Sequence, residues 1–101
     1  MPINGILYPW NENNVNRAPQ DSGVYEFYNR NGVIIYIGSS DNLRERFLGY
    51  WKSNFEEDPC KRSTIHYRRE VTVNFVQRER ELLQEYQRQH GNLPECNDVI
   101  P

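Results

Sequence analysis

Residues 23–46 read GVYEFYNRNGVIIYIGSSDNLRER. Two β-rich runs, residues 24–28 and 33–37, flank Asn31-Gly32. Both residues of an Asn-Gly pair tolerate the positive φ that a tight hairpin turn demands, so the spacing predicts a β-hairpin. Gly38 ends the second strand. Ser39, Ser40, Asp41 and Asn42 then offer side-chain oxygens to cap a helix, and Leu43, Phe47, Leu48, Tyr50 and Trp51 give that helix an apolar stripe. The stretch therefore predicts hairpin, turn and helix, with Tyr25 and Tyr36 on neighbouring strands and Arg46 on the helix.

The chain on either side supplies the remaining elements. The first ten residues hold two prolines and predict a short extended segment, with Tyr8 and Trp10 packed at the core edge. Residues 11–16 suit one turn of helix, and residues 17–22 a loop. Downstream, residues 52–63 are polar and read as a loop. Residues 64–73 alternate, with Ile65, Tyr67, Arg69, Val71 and Val73 on one face, and predict a third strand. Arg69 on that apolar face has no explanation in the pattern. Asn74 with Gln77 three residues on resembles a capping box opening a second helix. Its apolar stripe is Phe75, Val76, Leu82, Leu83 and Tyr86, and Gly91 is its natural stop.

Gly23-Val24-Tyr25, Tyr36-Ile37-Gly38 eleven residues on, and Arg46 eight residues beyond Gly38 together resemble the GIY-YIG nuclease superfamily. That superfamily includes the N-terminal nuclease domain of the bacterial excision-repair incision enzyme, phage homing endonucleases, some restriction enzymes and small stand-alone proteins. The resemblance covers about residues 22–98, leaving 1–21 as an N-terminal extension of one domain spanning 1–101. It implies an α+β GIY-YIG fold: a small three-stranded, mostly antiparallel sheet, made of the hairpin and a third strand, flanked by helices. It also implies an endonuclease that hydrolyses DNA phosphodiester bonds with one divalent ion, Mg²⁺ or Mn²⁺, in a DNA-repair setting.

Composition is consistent with one folded domain: 101 residues, 37% hydrophobic and 13% aromatic. No apolar run approaches a membrane span and no leader pattern is visible, so the expectation is a cytoplasmic protein with no membrane association. Cys60 and Cys96 stand far apart in sequence and are expected as reduced thiols. The net charge of −2 does not advertise a nucleic-acid binder, but residues 41–80 hold nine Lys and Arg against seven Asp and Glu. The basic side chains gather around the motif. The excess is small and matches an ordinary solvated surface as well as it matches phosphate contact.

Glu79 is singled out by helix periodicity. It lies three and four residues before Leu82 and Leu83, and so shares the face that points inward. A carboxylate there costs several kcal/mol, on the order of magnitude of an unpaired buried charge, unless an ion pair or a metal compensates it. A structural ion pair with an Arg is one use. The resemblance implies another, the family's metal-binding glutamate, in the pattern E-x-x-L-L-x-x-Y. Glu85 is the alternative by its count to Pro94 and Asn97. Arg46, by the same resemblance, contacts the scissile phosphate, for which a permanently charged, bidentate guanidinium is suited. Read alone, it is a helix-surface Arg whose stem covers apolar area. Arg44 fits the spacing less well.

Tyr25 and Tyr36 read alone are ordinary strand aromatics. The resemblance makes Tyr25 the group beside the attacking water, as base or as orienting group, and sets Tyr36 next to it. A phenol of pKa about 10 is ionised about one part in a thousand at pH 7, so activation would need neighbours. Ser39 departs from the Lys that many repair-type members carry after the second tripeptide. Tyr50 and Asn97 occupy further family positions and complete the secondary site residues. His66 and His90 read as structural or solvated. DNA is the expected substrate, with a protein partner or a homodimer supplying specificity. The alternative is a non-catalytic or partner-dependent nucleic-acid-binding module of a repair or defence assembly.

Overall fold

The computed structural model describes residues 2–101. Its hairpin forms where expected: β2 (Gly23–Tyr28) and β3 (Ile34–Ser40), numbered in chain order after a short β1 described below, pair antiparallel from Gly23 opposite Ser40 to Tyr28 opposite Ile34. The turn is wider than a two-residue Asn-Gly turn. The Asn29 side-chain oxygen accepts from the amides of Asn31 and Val33, and the Asn29 carbonyl accepts from Gly32. Gly32 takes a positive φ of 74°, whereas Asn31 does not have a positive φ. Asn29 thus organises the loop, and the glycine supplies its one left-handed residue.

The register slips between Phe27 and Tyr28, so that Phe27 faces Tyr36 while Tyr28 faces Ile34. Ile35 is the extra residue of this bulge. Strict alternation would place Ile35 and Tyr36 on opposite faces; the bulge sends both toward the same aromatic cluster. The Ile35 carbonyl, turned outward, accepts from the Cys96 amide at 2.8 Å.

Four strands form the sheet rather than three. β1 (Tyr8–Pro9) lies on the outer edge of β4 (His66–Val71), in the order β1-β4-β2-β3 with every pairing antiparallel. Two residues are too few to show alternation, and Pro9 is tolerated because it sits on an edge. β4 is shorter than the expected 64–73. Tyr67 is fully buried against the rings of Trp10 and Phe47, but Ile65, Val71 and Val73 are 42%, 52% and 83% exposed. Arg69 finds its reason here: its guanidinium lies 4.6 Å from the Tyr8 ring centre and donates to the Tyr8 hydroxyl at 3.2 Å.

The helix α1 (Glu12–Asn16) is capped by the Asn11 side chain, and Val15 and Ala18 behind it are buried. The cap of α2 (Leu43–Ser53) is Asn42, which accepts from the Glu45 amide; Ser40 instead hydrogen-bonds the backbone of Asn42. The expected loop at 52–63 is partly helical: α2 runs through Ser53, and a short 3₁₀ helix spans Pro59–Ser63. For α3 (Phe75–His90) the start at Asn74 holds, but no side-chain cap bond forms, so the capping box is absent. Leu82 and Leu83 are buried and Gly91 closes the helix at φ 81°, whereas Val76 is 47% exposed.

Cys60 and Cys96 form a disulfide, which overturns the expectation of free thiols. The fold brings their Cα atoms to 5.7 Å by laying the tail along the outer edge of β3, next to the 3₁₀ helix. Among the described residues no helix is long and apolar enough to cross a membrane.

Candidate active site

Tyr25 points from β2 over Gly38 of β3, its pairing partner, and is completely buried. A Cβ at position 38 would lie 2.6 Å from the Tyr25 hydroxyl and 2.6 Å from the Tyr36 ring. The glycine of the second tripeptide is thus the space in which the tyrosine of the first one lies. Gly23 has a parallel reason: a Cβ there would stand 2.2 Å from the Glu70 carbonyl on β4.

The Tyr25 hydroxyl lies 3.1 Å from the Tyr50 hydroxyl, which α2 supplies. Arg46, one turn earlier on α2, donates to the Ser39 carbonyl at 3.3 Å and faces the same two hydroxyls. Burial opposes the charge of Arg46, but Tyr25 and Tyr50 outweigh it and hold the guanidinium above its ordinary value. Arg44 turns away and donates to the Ala18 carbonyl at 2.7 Å, a structural use.

Lys61, from the 3₁₀ helix, was not anticipated. It is 5% exposed, pairs with Asp58 at 2.9 Å, donates to the Tyr50 hydroxyl at 3.3 Å and sits 3.7 Å from the Tyr36 ring centre. Burial works against its charge; Asp58 and then the two tyrosines overcome this and raise its pKa. Burial also pushes the Tyr25 phenol well above its usual value, with Tyr50 and Tyr36 adding to it and Arg46 opposing. Tyr36 is raised by burial too, with Lys61 the main influence pulling it back. Both phenols are neutral at physiological pH in the free protein, so they act there as hydrogen-bonding groups.

Glu79 is half-buried on the α3 face toward β3, where its Oε1 accepts a hydrogen bond from the Ser39 hydroxyl. It shares a groove of 240 Å³ with Tyr36, Asp58, Asn97 and Asp98. Asn97 closes the free edge of β3: its amide nitrogen donates to the Ile37 carbonyl at 2.9 Å and its oxygen accepts from the Ile37 amide at 3.0 Å. Glu85 lies six residues on, about 9 Å further along the helix axis, in a different groove with Pro2, Glu26 and Ile34. His66 sits half-buried on β4 and the exposed His90 stacks on Tyr86.

Tyr25, Tyr36, Arg46, Tyr50, Ser39, Glu79 and Asn97 therefore gather around the β2–β3 pair, while Glu85 does not join them. The cavity next to Arg46, Tyr50 and Lys61 has a volume of 570 Å³ and is walled on its far side by Glu56, Glu57 and Asp58. Among the described residues no three His, Cys, Asp or Glu side chains converge into a cage. Glu79, with Asp98 and the Lys61-paired Asp58 in the same groove, fits a hard cation that keeps most of its waters; this set does not fit zinc.

Comparison with known proteins bears on the family and the fold. The model of the UvrC-like GIY-YIG domain matches residues 21–97. The UvrABC system protein C of Aliivibrio salmonicida is 32% identical over 80 residues, covering 77% of this chain and 13% of that protein. Its counterpart from Dictyoglomus thermophilum is 44% identical over 46 residues, covering 41% of this chain and 8% of that protein. The chain spans about a tenth of the length of these curated relatives. The crystal structure of the GIY-YIG N-terminal endonuclease domain of UvrC from Thermotoga maritima, bound to its catalytic divalent cation, magnesium, superposes with a TM-score of 0.63 at 25% identity, covering 85% of this chain and 93% of that one. With both tripeptides, α2, α3 and Asn97 inside the matched segment, the chain belongs to the UvrC-like GIY-YIG domain family.

Proposed function

We propose that this domain is a metal-dependent endonuclease that hydrolyses DNA phosphodiester bonds, nicking one strand per site. The observation that carries the reading is the convergence on one sheet edge of a guanidinium, a buried phenol bonded to a half-buried one, and a half-buried carboxylate. Each matches one need of phosphodiester hydrolysis. Arg46 neutralises charge growing on the phosphate oxygens. Tyr25, with Tyr36 beside it, holds the attacking water in line; its raised pKa makes orientation, rather than deep proton abstraction, its role in the free protein. Glu79 is the residue to hold Mg²⁺ or Mn²⁺, and a bound ion supplies positive charge for the leaving oxygen. Asn97 keeps Ile37, and with it the second tripeptide, in place.

The test is nicking of supercoiled plasmid at low salt with Mg²⁺, Mn²⁺ or EDTA. Wild type is compared with Glu79→Gln, Glu85→Gln and Arg46→Ala, each checked for folding. We expect metal-dependent nicking that falls about 100-fold or more in Glu79→Gln and in Arg46→Ala and survives in Glu85→Gln. The reverse pattern for the two glutamates would transfer the metal to Glu85.

The acidic wall of Glu56, Glu57 and Asp58 next to Arg46 favours a second reading. Like charge there opposes unaided DNA binding, and suits a module to which a partner in a repair assembly delivers the strand. A folded wild type that leaves plasmid intact with every metal, yet cuts once partner proteins are added, would select it.

A further inference from the structure

The geometry points to Lys61 as a positioning residue that fixes the Tyr25–Tyr50 hydroxyl pair for the cleavage proposed above, a role that no side chain immediately after the second tripeptide fills.

Lysine is rarely this buried without a reason. Removing an ammonium from water is costly, and Asp58 offsets only part of that cost because its own carboxylate is 39% exposed. The other close groups are the Tyr50 oxygen at 3.3 Å, the Tyr36 ring centre at 3.7 Å and the Tyr50 ring centre at 5.0 Å. A lysine serving only to staple a loop would need no partner beyond the Asp58 carboxylate. This one is aimed at the phenol that touches Tyr25. By donating to one lone pair of the Tyr50 oxygen, the ammonium turns the Tyr50 O–H toward Tyr25. The fully buried Tyr25 oxygen is then held as the acceptor of that bond.

Ser39 is the neighbour of Gly38, and its hydroxyl is engaged by Glu79. The cation therefore arrives from a separate element. Two constraints hold that element in place: Asp58 at the start of the 3₁₀ helix, and the Cys60–Cys96 bond one residue before Lys61. The same bond lies one residue before Asn97, so a single crosslink secures both supports of the tyrosine cluster.

The test uses the whole domain with Lys61→Met, which keeps length and loses charge, and Lys61→Arg, which keeps charge. The first readout needs no activity. Proton NMR detects a hydroxyl proton of the Tyr25–Tyr50 pair when it is shielded from exchange, assigned by its loss in Tyr50→Phe. We expect it in wild type and Lys61→Arg and not in Lys61→Met; its persistence in Lys61→Met overturns the proposal. The second readout is plasmid nicking with the metal that supports wild type. Lys61→Met should lower kcat about 100-fold, the scale of a misplaced reacting group, leave KM for DNA within about threefold, and be substantially rescued by Lys61→Arg. Wild-type kcat in Lys61→Met, a loss confined to KM, or equal loss in both variants would each overturn the role. If wild type does not nick at all, the endonuclease reading fails, and the hydroxyl signal alone decides whether Lys61 positions the pair.

Discussion

The sheet face covered by α1 and α2 is built of rings, and the face covered by α3 is built of aliphatic side chains over a charged network. On the first, Trp10 meets Phe27, Phe47, Trp51, Phe55 and Tyr67 with ring centres 5.3–6.1 Å apart, and Tyr25 lies edge-on to Phe47 at 5.2 Å. On the second, Ile3, Val24, Ile37, Leu82 and Leu83 cluster. Beside them the buried Glu26 accepts from Tyr28, Tyr28 accepts from Arg68, and Glu70 holds Arg78 through two bonds. The difference is one of delivery. Interlocked rings have few rotamers, so they hold phenol oxygens in fixed positions at the sheet edge. The α3 face instead delivers a carboxylate on a long helix. The site lies where the two faces meet, at the end of β3.

The largest expected effect joins the two. Gly38→Ala places a methyl on the Tyr25 and Tyr36 rings; we expect nicking to fall about 100-fold while the fold survives, checked by plasmid cleavage beside circular dichroism. Wild-type activity would show that ring placement is not limiting. Next come the cores themselves. Phe47→Ala should cost about 3–5 kcal/mol and Leu83→Ala about 2–5 kcal/mol in urea unfolding. Only Phe47→Ala should also loosen the Tyr25–Tyr50 contact, read as broadened tyrosine resonances. Reducing Cys60–Cys96, which closes a loop of 36 residues, should cost about 3–4 kcal/mol by chain entropy, measured as the urea midpoint with and without reductant.

Smaller effects separate the faces by pH. Tyr28 is pushed up to about 12, first by burial and then by Glu26. Its unfolded value is about 10. Its contribution to stability is therefore complete below pH 10 and lost as pH rises through about 12. Tyr28→Phe should flatten the decline of the urea midpoint over that window, leaving the part due to the buried tyrosines of the other face. Glu26 is raised by burial, so its stabilising share is present below the ordinary carboxyl range and lost as pH rises through its folded value. Glu26→Gln should thus raise the midpoint at pH 7 modestly, and least of all these variants; a fall would mean that Arg68 and Arg78 outweigh the burial.

Local chemistry determined much of this protein. Strand alternation, Asn and Gly at loop ends, and the helical period marked the hairpin, β4, α2 and α3. The two tripeptides with Arg46 marked the family, and the 3.6-residue period put Glu79 on the face that meets β3, because these signals depend on residues a few positions apart. Tertiary structure decided the rest. The two-residue β1 exists only because β4 offers an edge. The bulge at Ile35 re-aims Tyr36 through pairing with β2. Cys60 meets Cys96, and Lys61 meets Tyr50, only after the tail and the 3₁₀ helix are laid against the sheet. A lysine in a polar stretch carries no periodic signal. What turns it inward is a cavity of rings and a carboxylate drawn from distant segments, and no local pattern encodes that closure.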